Sequence, residues 1–419
     1  MLLKKIKNKK IKVLIAGCGY TGYPLAKIIS ASKINVVGYD VNKNLINNLK
    51  KITYRNKNNF LRFTDNLKLV KNVDIILISL PTPLSKNFEP DLSYIKEFLK
   101  NSHGILKKNQ LMILESTTYP GTTDEIVKKY LESQKFKIGR NYFLGYSPER
   151  IDPGRKINLN SVTKICSGST HACKKLIQEF YKLFILNVVS VKNNKTAEFV
   201  KIFENIFRSV NISLVNEMKI IADKFDVDIR EVIDAASTKP YGFMKFEPGP
   251  GIGGHCIPVD PFYLTWKAKE YNIHTRFIEL AGEINNYMPT WIFEKINKHL
   301  VKKNLFIKKM KFLFLGASYK KNIADTRESP SLKFFELFKS SELNFDYHDP
   351  FVKKLNFYVN DKKNTIKSIN ITKQSLKKYD CVIVLTNHDN VNYNLIEKNS
   401  KLIFDSRAIF KKSRKVIFI

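Results

Sequence analysis

Residues 246–264 read FEPGPGIGGHCIPVDPFYL and set a cysteine, Cys256, behind Gly249, Gly251, Gly253 and Gly254, with Pro248, Pro250 and Pro258 around it. Glycine takes positive φ and lets a backbone approach a ligand closely, while proline fixes the path of a loop. Such a loop can hold a thiol open to a substrate. Four residues on, Asp260 supplies a carboxylate able to orient a water or a base. The other reading is an ordinary turn with a small buried thiol, since free cysteine often packs as a hydrophobe. The local residues leave both open.

A second group has the spacing of a dinucleotide site. Gly17-Cys18-Gly19-Tyr20-Thr21-Gly22 directly follows an apolar run and opens a helical pattern, with Asp40 eighteen residues beyond Gly22. In that setting Gly17 allows the tight turn, Gly19 lets the backbone approach a pyrophosphate, and Gly22 permits close helix–strand packing. The helix start reached through Tyr20 and Thr21 favours an anion. Asp40 suits the adenosine ribose hydroxyls and repels a 2′-phosphate, which predicts NAD rather than NADP. Pro81 and Thr82 in LPTPLS (80–85), and Ser116 and Thr117 in ESTTYPGTT (115–123), fall at carboxyl ends of predicted strands. Small hydroxyl side chains there can line a nicotinamide pocket.

Two further pairs stand out. Glu149 and Arg150 sit between prolines in YSPERIDPG (146–154), as a site pair or a surface salt bridge. Lys201 and Asn205 are four residues apart and share a helix face. They could stabilise an oxyanion and hold a hydroxyl or water. With Phe199, Phe203 and Ile206 expected to bury the opposite side, helix spacing alone favours a solvated polar face.

The elements that must position these residues repeat. Short apolar strands at 12–17, 35–40, 74–80 and 111–116 alternate with helical patterns, and the rhythm returns at 311–316, 344–349, 380–386 and 401–406. Such alternation implies right-handed crossovers and parallel sheets covered by helices on both faces. In both halves the second strand ends in an acid, Asp40 and Asp349. Between them, apolar residues recur with helical period at Phe199, Ile202, Phe203, Ile206 and Val210. A helix of about 30 residues would span about 45 Å, and a second helical stretch runs over 275–300. The expected architecture is α/β: two Rossmann-like, doubly wound parallel-sheet domains, residues 1–194 and 304–419, joined by a helical central domain, residues 195–303, with a long helix.

The formal charge is +34. Eleven arginines and 61 lysines are spread in ones and twos, with no basic arm and no aromatic-interleaved stripe, so the charge argues against a nucleic-acid partner. No apolar run approaches the roughly 20 residues that span a bilayer, which predicts no membrane partner. The five cysteines form no CxxC pair. That suits a reduced, cytoplasmic thiol inventory without a zinc site or other metal centre.

Taken together, GCGYTG, ESTTYPGT, SPER, the Lys201–Asn205 pair, GGHCIPVD and GASYKKNIADTRESPS (316–331) resemble the UDP-glucose/GDP-mannose dehydrogenase family, in family order and over nearly the whole chain. PGPGIGGHCIPVDPFYL with SPERIDPG is most similar to the branch oxidising UDP-N-acetylhexosamines, particularly UDP-N-acetyl-D-glucosamine. The resemblance implies NAD in the first domain, the nucleotide of a UDP-sugar largely in the third, and a homodimer through the central helix. It implies Cys256 as nucleophile with Asp260 as companion acid. Lys201 and Asn205 become an oxyanion and water-positioning pair, Glu149 an acid/base group, and Thr117 a holder of water.

On the substrate side it implies Glu149, Arg150, Lys201, Asn205, Tyr319 and Lys320 as contacts, and a clamp formed by Phe246, Pro248, Gly249, Gly251 and Gly253. Arg327 resembles a residue reaching across to NAD. The implied chemistry is a double oxidation of a primary alcohol through a thiohemiacetal and a thioester on Cys256, consuming two NAD, for surface polysaccharide synthesis. UDP-glucose enzymes often carry a second Glu where this chain has Pro153, and an Arg where it has Lys239; both departures weaken a UDP-glucose assignment. UDP-N-acetylmannosamine, UDP-N-acetylgalactosamine and UDP-glucose remain alternatives. A two-electron hydroxyacid-type dehydrogenase also pairs a Rossmann domain with helices, but it needs no Cys256.

Overall fold

A strand buried on both faces of a parallel sheet must be apolar throughout, and Ile75–Ile78 and Leu111–Leu114 are buried at every residue. The computed structural model describes residues 1–85, 87–150 and 159–419. Pro153 lies outside them. The chain divides into two units, Met1–Glu204 with Phe262–His274 and Asn205–Pro261 with Thr275–Ile419.

In the first unit, β1 (Lys12–Ala16), β2 (Asn35–Tyr39), β3 (Leu61–Thr64), β4 (Ile75–Ile78), β5 (Leu111–Leu114), β6 (Phe143–Tyr146), β7 (Lys164–Gly168) and β8 (Val188–Ser190) form one sheet. Their order is β3-β2-β1-β4-β5-β6-β7-β8. The direction of winding reverses between β1 and β4, the place where such sheets open a ligand crevice. All pairs are parallel except β6 with β7, which run antiparallel, a departure from the expected parallel sheet. The connection between those two strands holds the Glu149 segment.

The second unit repeats the plan with β9 (Lys311–Leu315), β10 (Asn344–His348), β11 (Lys354–Val359), β12 (Lys362–Lys367), β13 (Cys381–Val384), β14 (Leu402–Asp405) and β15 (Val416–Phe418). Five of these form a parallel sheet in the order β10-β9-β13-β14-β15, and β11 and β12 form a hairpin beside it. The hairpin has no counterpart among the strands expected from the sequence. Its two turn residues, Asn360 and Asp361, both take positive φ (48° and 59°), the conformation two-residue hairpins favour. An aromatic core of Phe312, Phe314, Phe334, Phe335, Phe338 and Tyr347 covers one face of the sheet.

The likeness of the halves extends to their first turns. Gly17 (φ 93°) and Gly316 (φ 91°) each donate their N–H to the last residue of the neighbouring strand, Tyr39 O and His348 O, both at 2.9 Å. A Cβ on Gly17 would lie 2.3 Å from Ser79 O, and one on Gly316 would lie 2.4 Å from Thr386 Cβ. Both turns therefore demand glycine for two reasons, left-handed backbone and contact with the adjacent strand end.

The long helix spans Asn194–Lys224, 31 residues. Its burial departs from the expected one: of the expected stripe Ile202 is buried, Ile206 and Val210 are half-buried, and Phe199 and Phe203 are exposed. Phe199, Phe203, Phe207, Leu214, Met218 and Ile221 are exposed, whereas Asn194, Glu198, Lys201, Asn205, Ser209, Ser213, Asn216 and Lys219 are buried. The helical period was legible; which stripe faces inward was not. Lys201 and Asn205 are 7% and 0% exposed, so the solvated-face reading is overturned.

Gly316→Ala is expected to cost roughly 2–4 kcal/mol, combining backbone strain with overpacking. The denaturant midpoint of the second unit measures it, and an unchanged midpoint would contradict the crowding described.

Candidate active site

In the first unit the crevice between β1 and β4 is shaped by glycines with distinct tasks. A Cβ on Gly22 would lie 1.8 Å from Gly17 O, so that residue fixes how closely the helix Gly22–Ala31 meets the strand. A Cβ on Gly19 would have nothing within 4 Å, which leaves room for a ligand to reach the backbone. Asp40 Oδ2 accepts the Cys18 N–H and Oδ1 the Asn42 N–H, each at 2.9 Å, so the carboxylate is oriented at the end of β2. Burial, with Asp40 beside it, pushes the Cys18 thiol far above its ordinary value and leaves it unreactive. Tyr20 is exposed beside the turn. Thr21 Oγ1 and Ser79 Oγ, 2.7 Å apart, tie the turn to the end of β4.

The loops after β4 and β5 are stitched together. Thr82 Oγ1 donates to Thr117 O at 2.8 Å, and Ser116 Oγ donates to Leu80 O at 2.7 Å. Pro81 is exposed on the first of these loops and Thr117 half-buried on the second. These residues fit a nicotinamide dinucleotide: an open backbone approach, a turn at a helix start, and an acid fixed where ribose hydroxyls would be bound.

Glu149 is no surface residue. Lys164 Nζ lies 3.0 Å from Glu149 Oε2 and 2.7 Å from Glu115 Oε2, and Tyr181 donates its hydroxyl to Glu115. Burial opposes the charge on Glu149, but Lys164, the Arg150 amide and Lys201 outweigh it and hold the carboxyl below its ordinary range. Glu115 is the opposite case. There burial wins over Lys164 and pushes the carboxyl up to about 7. Arg150, expected among the substrate contacts, has its guanidinium engaged inside the protein: Nη1 donates to Thr163 O at 2.7 Å and Nη2 pairs with Glu204. Its bonds hold the Glu149 turn to the long helix.

In the second unit Cys256 is half-buried, while Cys18, Cys166, Cys173 and Cys381 are buried. Its carbonyl accepts the Asp260 N–H at 2.7 Å and the Val259 N–H at 3.1 Å, which winds the chain into the helix Asp260–Lys269. The Asp260 carboxylate is buried and accepts the Asn205 amide, and Arg208 donates to Asn205 Oδ1. Asp260 therefore orients Asn205 directly. Arg327, expected to reach NAD, is bonded here to Asp325 (2.6 Å from Nη2) and to His255 Nδ1 (3.1 Å), and its carbonyl accepts the Gly254 N–H at 3.0 Å. It fastens the cysteine loop from both sides.

The glycine run is shaped by close neighbours. A Cβ on Gly253 would meet Tyr319 Cβ at 2.5 Å and Glu328 O at 2.7 Å. Gly249 donates to Asn216 Oδ1 at 2.9 Å and would meet Arg407 Nη1 at 2.8 Å if it carried a Cβ. Gly251 takes φ 116°. Pro248 is buried, and Phe246 packs edge-on against Phe207. Tyr319 and Lys320, half-buried, stand on the turn after β9. Arg407 was not foreseen from the sequence; burial, with Arg230 nearby, lowers its guanidinium to about 10. Its only sequence signal was a position just past a strand that ends in Asp405.

The two halves use their strand-end acids differently. Asp349 is wholly buried and accepts amide N–H groups from Ala317, Ser318, Phe351 and Val352 at 2.8–3.1 Å. Asn322 N donates to His388 Nδ1, so Nε2 carries the ring proton and donates to Asp349 at 3.1 Å. Burial opposes ionisation, but His388 and these amides hold Asp349 down to about 2. Its oxygens are thus consumed by bonds within the protein.

A dinucleotide turn with its acid in one Rossmann-like unit, and a thiol on a glycine-rich loop beside a second such sheet, define an NAD-dependent dehydrogenase. The chain belongs to the UDP-glucose/GDP-mannose dehydrogenase family, whose NAD binding, central and UDP binding domains match residues 11–185, 195–287 and 313–412. It is 33% identical over 413 residues to Protein CapL of Staphylococcus aureus, covering 95% of this chain and 96% of that protein. It is 33% identical over 356 residues to UDP-N-acetyl-D-glucosamine 6-dehydrogenase of Pseudomonas aeruginosa, covering 82% and 84%. The solved structure of UDP-D-ManNAc dehydrogenase from Pyrococcus horikoshii matches with a TM-score of 0.88 at 29% identity, over 97% of this chain and 98% of that one. The protein is an NAD-dependent UDP-sugar dehydrogenase. Among the described residues no helix is long and apolar enough to cross a membrane.

Replacing Lys164 by Met leaves two buried carboxylates without their shared cation. The expected loss is roughly 3–5 kcal/mol of stability. In the variant both carboxyls titrate above their unfolded values, so the folded chain binds more protons and stability should fall as pH rises. Denaturant melts at pH 5.5 and 8 check this; an equal loss at both would refute the carboxylate account.

Proposed function

We propose that the protein oxidises the C6 hydroxymethyl group of a UDP-N-acetylhexosamine, UDP-N-acetyl-D-glucosamine first, to the uronate, in the cytoplasm and for a surface polysaccharide. The observation that carries this reading is Cys256, half-buried where the other cysteines are buried, on a turn whose following acid orients Asn205. A two-electron dehydrogenase has no use for such a thiol. Relatives named for the N-acetylglucosamine and N-acetylmannosamine sugars support the N-acetylhexosamine class, and the PGPG and SPERIDPG forms favour the first. UDP-N-acetylmannosamine, UDP-N-acetylgalactosamine and UDP-glucose are the alternatives for the same machinery.

NAD, when bound by Gly17, Gly19, Gly22, Asp40 and the loops carrying Thr82, Ser116 and Thr117, supplies the oxidising power for both steps. Cys256, as thiolate, adds to the C6 aldehyde: the S–C bond forms and the carbonyl electron pair becomes an alkoxide. Lys201 and the second Asn205 Nδ2 hydrogen stabilise that charge. After the second oxidation the acyl group rests on Cys256 as a thioester. Thr117 holds a water, Glu149 takes its proton as the hydroxide adds, and Cys256 leaves as thiolate. Glu149 is ionised, and so free of its own proton, because Lys164 holds its carboxyl below the ordinary range. Phe246 to Gly253, Tyr319 and Lys320 would clamp the nucleotide sugar, and Arg407, against Gly249, would offer charge to its diphosphate.

The exposed apolar stripe of the long helix supports a homodimer through that helix. In the second unit Leu214, Met218, Ile221 and Phe225 continue it, with Phe277 and Leu280 exposed on the helix Arg276–Lys302. Patches of this kind mark interfaces.

In a panel of UDP-sugars, UDP-N-acetyl-D-glucosamine should give the highest kcat/KM, with two NADH per uronate. Cys256→Ser should abolish uronate formation while NAD binding persists; two NADH per sugar from that variant would exclude the covalent route. Met218→Glu should convert a dimer to a monomer in sedimentation velocity, and an unchanged mass would remove this face from consideration.

A further inference from the structure

Glu198 is a buried titratable group of the first unit to which the reaction as described gives no task. Glu198 is fully buried on the long helix, one turn before Lys201. Its Oε1 accepts the Thr123 N–H at 2.8 Å and the Thr123 hydroxyl at 2.6 Å, and its Oε2 accepts the Gly121 N–H at 2.5 Å. All three donors belong to one loop, the continuation of Ser116 and Thr117 beyond β5. A carboxylate that receives three donors forms strong, charge-assisted bonds with fixed geometry.

The same loop is gripped from a second side within the unit. Lys267 pairs with Glu125 at 3.0 Å and lies 4.9 Å from the Tyr119 ring centroid, and Tyr119 packs on Trp266. Four residues before Glu198, buried Asn194 donates to Asp124 at 3.1 Å and to Ser169 at 2.9 Å. The backbone from Gly121 into Thr123–Lys128 is π-helical, a winding less tight than an α-helix, so the side-chain bonds rather than a regular helix start set its position.

We propose that Glu198 is a positioning residue for NAD-dependent oxidation: from the long helix it holds the loop after β5, and with it Ser116 and Thr117, in register with Lys201. The inference rests on the dinucleotide reading of the first unit but not on which sugar is oxidised. Its charge state matters, because each of its three hydrogen-bond partners is a donor. A protonated Glu198 would present an O–H to an N–H and release one side of the loop. Burial pushes Glu198 up to about 7 against its three donors, and Asp124 adds to the rise. Glu125, whose Oε1 borders Gly121, Lys195 and Lys267 are the other charged groups next to this loop. The hold should therefore weaken as pH falls through neutrality.

The test is Glu198→Gln, which keeps the shape but turns one acceptor into a donor against Gly121 or Thr123. Cofactor affinity, read by NADH fluorescence titration between pH 6 and 8.5, needs no sugar. We expect NADH binding about tenfold weaker at pH 8, and a wild-type affinity that declines toward the variant's as pH drops to 6. In turnover with UDP-N-acetyl-D-glucosamine, kcat should fall about 10- to 100-fold and the KM for NAD should rise, with the KM for the sugar nucleotide unchanged. Thr123→Val removes only the hydroxyl donor and should show the same pattern, about three- to tenfold in size. Equal NADH affinity and equal pH dependence in wild type and both variants would overturn the proposal. So would a loss confined to thermal stability, with full activity in the folded fraction.

Discussion

A helix whose inward face carries a row of buried polar side chains, with most of its large apolar side chains exposed, is the constraint on which the rest of this structure depends. Buried polar groups are tolerated only when each finds a partner. The long helix meets that requirement at four positions: Asn194 with Ser167, Glu198 with Gly121 and Thr123, Asn205 with Asp260, and Asn216 with Asn285. Each bond fixes a second segment as well as the helix. The partners belong to β7, the loop after β5, the residue that opens the helix after Cys256, and the helix Arg276–Lys302. A leucine at any of these positions would pack but could not set a register.

Shape is set where side chains are absent. At Gly22 and Gly253 a Cβ would collide with backbone or with a neighbouring side chain, so the glycines define how closely two segments approach. Around Gly19 the space is open. The same residue type thus serves packing in one place and ligand access in another. The duplicated sheets show a similar economy with their strand-end acids. Asp40 keeps a half-buried carboxylate, whereas Asp349 is surrounded by amides and His388. One fold accordingly carries a dinucleotide in one half and is left to serve a different ligand in the other.

Much of this was legible from residue types and spacing. The alternation of short apolar runs with helical patterns led directly to two Rossmann-like sheets, and GCGYTG and Asp40, singled out together, meet at the ends of β1 and β2. The 31-residue helix was expected at about its observed length. The antiparallel β7 was not foreseen, because KICSG reads like any other buried strand and direction depends on what it pairs with. Arg407 was also missed, since a lone arginine after a strand carries no signal until Gly249 is seen beside it.

By itself, then, the sequence determined the periods, the turns and the family, because those depend on local backbone preferences and on motifs a few residues long. Only the tertiary structure decided which face of the long helix turns inward. A 3.6-residue period is equally satisfied by an apolar stripe inside or outside, and the choice is made by partners far away in the chain. The same holds for Glu149, whose ionised state depends on Lys164 and on burial, neither of which is written in SPER. Chemistry at this site is a matter of which charges are desolvated together, and that is settled only when distant segments meet.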